Sequence, residues 1–397
     1  MRIIMGLPID KSSSVSVIEV KRMLYVDNIR IFLTVLVVLH HQAIGYGGVG
    51  DWVIFDKATD SISPIFLALF NGINGSFLMA FFFLISGYFV PRSFDKKGPK
   101  NFVKDRLIRL WIPVLVFAAL IWQMTEYVLL NFTKGRDVPF YKIMASHFSR
   151  IDFEVGPLWF VEALLFFTLV YAVYRLVADR FLPGFQFKPF NNGFPTKKAV
   201  FLSIAIISIG TFIVRIKIPI GVWIYHFQVG DFVHYIFCFW LGILAYRGKW
   251  LESLTESQGK FWGKVALATL VVLPVVFFTV QAWGGGVSAL MGRFTLFSAI
   301  FSIWQSFVCL SIIIALLYLF QKRFDNQGCL LKGMSPNAYT VYIIHQLVVV
   351  ILMTLFLSIA LPPIVKFVIV APVSITLCFL ISHFIVRKIP YSKRVLG

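Results

Sequence analysis

The stretch 27–41 reads DNIRIFLTVLVVLHH, an apolar run with Arg30 near its start and His41 at its end. In an α-helix, eleven residues return to nearly the same face about 16 Å further along the axis. Asp27, Arg30, Thr34 and His41 therefore form one polar stripe. Ionisable groups at membrane depth cost about 3 kcal/mol each on insertion scales, so the stripe is expected to face a protein interior or a wet cavity. It is the first candidate for a functional site.

The whole chain has the composition of a membrane protein. Of its 397 residues, 59% are hydrophobic and 14% are charged, and the mean hydropathy is +0.83. Runs long enough to cross about 30 Å of hydrocarbon lie near 29–46, 75–90, 108–131, 158–178, 199–216, 231–247, 263–283, 296–320, 338–360 and 364–386. The predicted fold is an all-α polytopic membrane protein, a bundle of about ten transmembrane helices. The stretch 62–70 is expected to be a short interfacial or re-entrant helix.

Basic residues are concentrated in every second loop. The segment after the second span alone contains Arg92, Lys96, Lys97, Lys100, Lys104, Arg106 and Arg109. Because Lys and Arg in short loops remain in the cytoplasm, both termini are predicted to be cytoplasmic. This topology, with attraction to anionic lipid headgroups, explains the net charge of +19 without nucleic-acid binding.

Two further features of the sequence bear on its compartment. The first 27 residues contain no apolar h-region, so no cleaved signal peptide is expected and the first span is expected to act as the membrane signal. The four cysteines are scattered, three of them in spans. This pattern predicts neither a disulfide framework nor a metal site.

His41 lies in the outer part of the first span under this topology. A neutral imidazole there is suited to removing a proton from a hydroxyl group near neutral pH. The alternative is a histidine that only hydrogen-bonds a neighbouring helix, which is the role expected for His40. Arg30 lies about three turns deeper and must be paired or bind an anion, because its guanidinium stays charged. An ion pair with Asp27 would also account for it.

The second span ends in FFFLISGYFVPRS, residues 81–93. Ser86 and Gly87 permit close approach of another helix, and Pro91 is expected to end the helix. Packing alone is an alternative explanation for the Ser-Gly pair.

The third span begins with RLIRLWIP, residues 106–113. Arg106 and Arg109 are three residues apart on one helix face, a spacing able to grip a phosphate or pyrophosphate group. The alternative is positive charge that sets the topology. Seven cations between residues 92 and 109 exceed what topology requires, which favours phosphate binding.

Two later spans contain ionisable residues at membrane depth. Glu162 lies one turn inside the fourth span, after Trp159, which could also be an interfacial anchor. The ninth span contains His345, for which helix-to-helix hydrogen bonding and site lining are equally good explanations.

In their order and spacing, these segments resemble the membrane-bound acyltransferase-3 family over nearly the whole chain. The resemblance lies in DNIR followed by ten residues and His41, in FFFLISG with SGxxxxxS closing at Ser93, in RxxR at Arg106 and Arg109, in LWF at 158–160 and in AYTVYIIHQ at 338–346. Members of this family transfer acyl groups from acyl-coenzyme A to extracytoplasmic glycans and related acceptors.

The resemblance implies roles for particular residues. Arg30 and His41 would be the catalytic pair, with His41 either the general base or a transient carrier of the acyl group. Arg106, Arg109 and Ser86 would bind acyl-CoA as the donor substrate, with no metal. Asp27, Trp159, Glu162 and His345 are candidates for the substrate cavity. Trp159 and Glu162 are three residues apart, a shorter spacing than in many members and closer to the subgroup of glucan-modifying succinyl transferases, which leaves the role of Glu162 open.

The expected organisation is a cytoplasmic N-terminal segment (1–27), a transmembrane acyltransferase domain (28–387) and a cytoplasmic tail (388–397). The expected partners are acyl-CoA, a glycan or other hydroxyl acceptor and membrane lipids, in a multi-pass protein of a bacterial cytoplasmic membrane. The alternative is a secondary transporter or lipid-linked glycan flippase, since intramembrane Arg, His and Glu also serve proton relays. Pseudo-symmetry between the two halves would favour transport, and none is visible in the sequence.

Overall fold

The computed structural model describes residues 22–57, 59–150, 153–181, 193–283, 286 and 288–396. Within these ranges the chain is a helical bundle, and its β-pairing is a single bridge between Ile224 and Phe227. The expectation about a signal peptide falls on residues 1–21 and so lies outside the described residues, as does Gly397 of the predicted tail.

The bundle contains eleven helical segments that matter for the site. They are α1 Leu24–Gly45, α2 Ser63–Arg106, α3 (107–133), α4 Phe140–Arg150, α5 Gly156–Phe181, α6 Lys197–Lys217, α7 Val229–Arg247, α8 Glu256–Ala282, α9 Leu296–Arg323, α10 Cys329–Phe356 and α11 Pro363–Lys388. Short turns at Trp250–Ser253 and Ser288–Met291 connect some of them.

Nine helices in the described part of the chain are long and apolar enough to cross a membrane, and one of them, Ser63–Thr133, has 71 residues. At about 1.5 Å per residue this helix would extend about 107 Å, more than three times the hydrocarbon thickness. It therefore supplies two spans, α2 and α3, and the total becomes ten. The predicted all-α polytopic fold is confirmed, while the side on which the termini lie stays a prediction.

The chain breaks inside α2, at Gly98, which has φ +70° and ψ 164°, so residues 99–106 run on into α3 as part of the second span. There the chain folds back: the rings of Phe94 and Phe102 are 5.3 Å apart, whereas eight helical residues would separate them by about 12 Å. The expectation that Pro91 ends the helix is wrong, because the helix continues through it. Membrane helices tolerate the loss of the one backbone hydrogen bond that proline cannot donate, because neighbouring groups bond to the freed carbonyl.

The expectation of a separate short helix at 62–70 is also wrong, since α2 begins at Ser63 and continues past residue 70 without interruption. Asp60 caps this start: its carboxylate accepts hydrogen bonds from the backbone N–H groups of Ile62 and Ser63 at 2.8 and 2.6 Å. The polar residue Asn71 interrupts the hydropathy of the sequence but is bonded to His40 on α1. A polar side chain whose amide bonds a neighbouring helix therefore does not end α2.

Helices α2 and α7 cross in close backbone contact. A Cβ at Gly87 would overlap the carbonyl oxygen of Phe239, and a Cβ at Gly242 would overlap that of Leu84. Small residues at such a crossing let two membrane helices approach closely. The packing explanation for Gly87 is thus confirmed by the structure, and the neighbouring Ser86 is half-buried.

The bundle has two chemically different ends. At one of them, which we call the basic end, the start of α1 meets the loop after α9, as Asn28 donates to the carbonyl of Phe324 at 2.7 Å. The start of α3 joins the same end, because the Tyr339 hydroxyl donates to the Arg109 carbonyl at 2.8 Å. At the opposite end, which we call the cavity end, the loops 46–62 and 218–228 surround an open cavity.

Candidate active site

The cavity at the cavity end has a volume of about 590 Å³. Its walls come from α1, α2, α10 and the connecting loops, and they include His41, Trp52, Tyr342 and Gln346. A concave pocket of this size with a few convergent polar groups is the usual form of a small-molecule site. Of the residues predicted from the sequence, His41 and Trp159 lie on its wall.

His41 is held between two aromatic rings. Its imidazole stacks on the Trp52 indole with 4.4 Å between ring centroids. The second ring is the imidazole of His345, whose centroid is 4.9 Å from that of His41. His345 is fully buried, and its Nε2 is 3.0 Å from Nδ1 of His41. The tertiary structure thus joins two histidines that are 304 positions apart.

The hydrogen bonds of His345 determine which nitrogen of His41 is basic. Nδ1 of His345 lies 2.6 Å from the Tyr342 carbonyl oxygen, and a carbonyl can only accept, so this nitrogen is the protonated donor. In neutral His345 the other nitrogen, Nε2, is then an acceptor, and it receives the Nδ1–H of His41. Neutral His41 consequently keeps the lone pair on its own Nε2, as a general base requires.

The loop 46–62 brings Trp52 over His41 and is pinned by a buried ion pair. Lys366 Nζ on α11 lies 2.7 Å from the Asp56 carboxylate, and the two side chains are only 2% and 5% exposed. Sequence reasoning missed Trp52, Asp56 and Lys366. A lone lysine within the last apolar run was the available signal, because a charge at membrane depth needs a partner.

His40 has the structural contacts expected of it. The Asn71 amide donates to the ring Nδ1 and to the backbone carbonyl of His40, both at 3.0 Å. The residue therefore ties α1 to α2. Its ring also lies on the cavity wall.

Glu162 does not project alone into the cavity as the sequence suggested. Its Oε2 is 2.9 Å from Nδ1 of His226, and both side chains are mostly buried, with 13% and 16% exposed. His226 lies on the cavity wall. Trp159, one turn earlier, packs on Tyr235 with 5.5 Å between ring centroids. Sequence reasoning missed His226. Its position between Tyr225 and Phe227 in a short loop was the available signal.

A buried network supports this side of the cavity. The Arg215 guanidinium is fully buried and donates to Asp231 at 2.6 Å and to Gln305 at 2.5 Å. It also bonds the Gly230 carbonyl at 3.1 Å. Because Asp231 and Gln305 lie on the cavity wall, the arginine fixes their positions from behind.

Some polar atoms on the cavity wall have no partner among the described residues. These are the N–H donors Nε1 of Trp52, Nε1 of Trp122 and Nε2 of Gln346, and the acceptor Oδ1 of Asn71. Buried donors without partners are uncommon and call for an explanation. A polar ligand in the cavity would provide acceptors for them.

Arg30 lies away from this cavity, towards the basic end. Its Nη1 is 3.3 Å from Asp27, which also pairs with Arg22 at 2.6 Å, and its guanidinium lies 4.8 Å from the centroid of Phe89. The ion-pair explanation for Arg30 is thus supported by geometry. The cavity contacts α1 only from Val37 onward, about 10 Å along the axis from Arg30.

An aromatic layer lies between Arg30 and the cavity. Phe82 is on α2 between Met79, which lines the cavity, and Phe89 beside Arg30. Its ring centroid is 5.6 Å from that of Phe160 and 6.4 Å from that of Tyr342. We call these three rings the aromatic layer, and one of them, Tyr342, also lines the cavity.

Arg106 and Arg109 both lie at the basic end, but they have different surroundings. Arg109 is 45% exposed and pairs with Asp105 at 3.2 Å. The Arg106 guanidinium lies 4.9 Å from the Phe102 ring centroid, and its Nε is buried without a partner among the described residues. Arg106 thus has an N–H donor from which a bound anion could accept a hydrogen bond.

The fold and the site together define an integral membrane enzyme with a histidine cavity at one end and a cluster of arginines at the other. The sequence model described as "Acyltransferase domain" matches residues 23–383, so the chain belongs to the acyltransferase-3 family. It is a multi-pass membrane acyltransferase that transfers groups other than aminoacyl groups.

The chain is also similar in sequence to curated bacterial proteins. "Glucans biosynthesis protein C" of Escherichia coli (strain K12) is 24% identical over 303 residues, which cover 72% of this chain and 74% of the relative. The protein of the same name from Shigella dysenteriae serotype 1 (strain Sd197) is 24% identical over 304 residues, with the same coverage. No solved structure shows a significant match to the chain.

Proposed function

We propose that the protein transfers an acyl group of the acetyl or succinyl class from acyl-CoA to a hydroxyl group of an extracytoplasmic glycan. The observation that supports this most strongly is the hydrogen bond between His345 Nε2 and His41 Nδ1, which leaves the basic lone pair of His41 on Nε2. The relatives' printed name concerns glucan biosynthesis, which is consistent with a glucan acceptor. The membrane is proposed to be the bacterial cytoplasmic membrane.

The donor would bind from the basic end. Arg106 and Arg109 would hold its phosphate groups, because guanidinium groups form strong charge-assisted hydrogen bonds with phosphate oxygens. Arg30 and Ser86 lie deeper, on the route that the pantetheine arm would follow. The aromatic layer would have to open for the thioester to reach His41.

The acceptor would enter from the cavity end. As its hydroxyl oxygen attacks the thioester carbonyl, the hydroxyl proton passes to Nε2 of His41. The carbon–sulfur bond then breaks, an ester carbon–oxygen bond remains, and the proton is returned to the coenzyme A thiolate. Trp122 and Gln346 supply N–H donors in the cavity that could stabilise the oxyanion.

A labelled-donor assay tests this function. Purified wild-type protein and the variant His41→Ala would be incubated with acyl-labelled CoA in detergent. Loss of label from CoA with wild type only is expected. Equal turnover by both proteins would exclude His41 as the base. If the wild-type protein neither turns over nor binds any of several acyl donors, donor use is excluded and transport becomes the favoured function.

A further inference from the structure

The proposed mechanism leaves one wall of the cavity without a role, a short hairpin at residues 224–227. Ile224 and Phe227 are joined by two backbone hydrogen bonds of 2.9 and 3.1 Å, so Tyr225 and His226 form the tip. Tyr225 has φ +57°, a left-handed conformation that aromatic residues rarely adopt. Strained backbone of this kind persists where surrounding structure holds it, and it is concentrated at functional sites.

The tip is held in place from the neighbouring helix. The Glu162 carboxylate can only accept, so the nitrogen 2.9 Å away, Nδ1 of His226, is the donor. In a neutral ring the other nitrogen, Nε2, is then free to accept a hydrogen bond from a ligand hydroxyl. The role of Glu162 is therefore to orient the His226 imidazole, which is a polar group on the cavity wall separate from His41.

Two exposed aromatic rings accompany His226. Tyr225 is 73% exposed and Trp223 is 42% exposed, and both lie on the cavity wall. The Tyr225 ring stacks on the imidazole with 3.8 Å between centroids. Desolvation and then the nearby Glu162 carboxylate raise the pKa of Tyr225, so its hydroxyl remains a hydrogen-bond donor at neutral pH.

We propose that this hairpin is an acceptor subsite that binds a sugar ring, with Trp223 and Tyr225 against its apolar face and His226 bonded to one of its hydroxyls. A sugar presents apolar C–H faces edged by hydroxyl groups, and the hairpin offers the complementary surface: amphipathic rings next to an oriented imidazole. The inference rests on the proposed function for its role in transfer, but binding can be measured separately.

The first test measures the binding of soluble gluco-oligosaccharides of several linkages. Isothermal titration calorimetry is used, with the protein in detergent and without any acyl donor. Wild type is expected to bind at least one of them, and His226→Ala is expected to weaken that binding at least tenfold. His147→Ala is the matched control, because His147 also pairs with a glutamate, Glu126, but lies outside the cavity. It should bind like wild type.

The second test separates this subsite from the donor chemistry. With acyl-CoA present, His226→Ala should raise the KM for the oligosaccharide at least tenfold and change the KM for acyl-CoA much less. Should wild type bind sugar but turn over no acyl-CoA, the proposed function fails and the subsite stands. Absence of sugar binding by wild type overturns the subsite, whatever the donor does.

Exposed residues keep the proposal testable if His226→Ala lowers the Tm. Tyr225→Ala and Trp223→Leu remove solvent-exposed rings, and both should weaken sugar binding with an unchanged Tm. Wild-type affinity in both of these variants, or an equal loss in His147→Ala, would overturn the assignment.

Discussion

The imidazoles of His41 and His345 lie in direct hydrogen-bond contact, with 3.0 Å between Nδ1 and Nε2. Since His345 also donates to the Tyr342 carbonyl at 2.6 Å, the pair forms a chain from the backbone of α10 to the ring on α1. This chain orients the basic nitrogen of His41 in the way that a third group orients the base in hydrolytic triads.

His345→Gln should lower kcat about 100-fold and change KM little, because the orienting partner of the base is lost while substrate contacts remain. Single-turnover transfer from acyl-CoA would measure this. His383→Ala is the control, since His383 is exposed and away from the cavity. An unchanged kcat would show that His345 does not orient the base.

Arg106→Ala combined with Arg109→Ala should raise the KM for acyl-CoA about tenfold or more, since one charge-assisted hydrogen bond contributes about 2 kcal/mol. The control is Lys96→Ala with Lys100→Ala, which removes the same charge from exposed positions in the same segment. If both double variants raise KM equally, general charge attraction explains the effect, and the two arginines lose their assigned role.

Lys366→Met should lower the free energy of unfolding by about 3 kcal/mol, because the buried Asp56 carboxylate loses its partner. Transfer activity should also fall, since this pair pins the loop that stacks Trp52 on His41. Adding Asp56→Leu should restore much of the stability, because it removes the uncompensated charge. Thermal unfolding in detergent measures both variants, and a double variant less stable than Lys366→Met would contradict this account.

Phe82→Trp should lower the rate of acyl transfer while leaving donor affinity unchanged, because the larger ring thickens the aromatic layer between the two ends. Pre-steady-state transfer and equilibrium binding of acyl-CoA would separate the two quantities. Phe301→Trp is the comparison, because Phe301 lines the cavity but is not part of the aromatic layer. A rate equal to that of wild type would mean that the donor takes another route.

Much of the fold could be predicted because membrane insertion depends on local hydropathy. The ten spans follow from apolar runs of sufficient length, and alternate loops reveal the basic end through their Lys and Arg residues. Span boundaries were predicted less well. Pro91 did not end α2, and Asp60 rather than the hydropathy pattern determines where that helix begins.

The candidate site was only partly predictable. His41, Glu162 and His345 stood out because ionisable side chains in hydrocarbon are costly. Their partners did not, since His226 and Trp52 lie in loops where such residues are ordinary. Arg30 and His41 share a helix face in the sequence, yet only His41 of the two lines the cavity.

The sequence by itself determined that the chain is a bundle of membrane helices with a basic end and a few buried ionisable groups, because hydropathy and charge act residue by residue along the chain. Only the tertiary structure decided which of these groups meet. Hydrogen bonds between His41 and His345, Glu162 and His226, and Lys366 and Asp56 join positions far apart in the chain. Such contacts depend on how the helices pack, which no local pattern records.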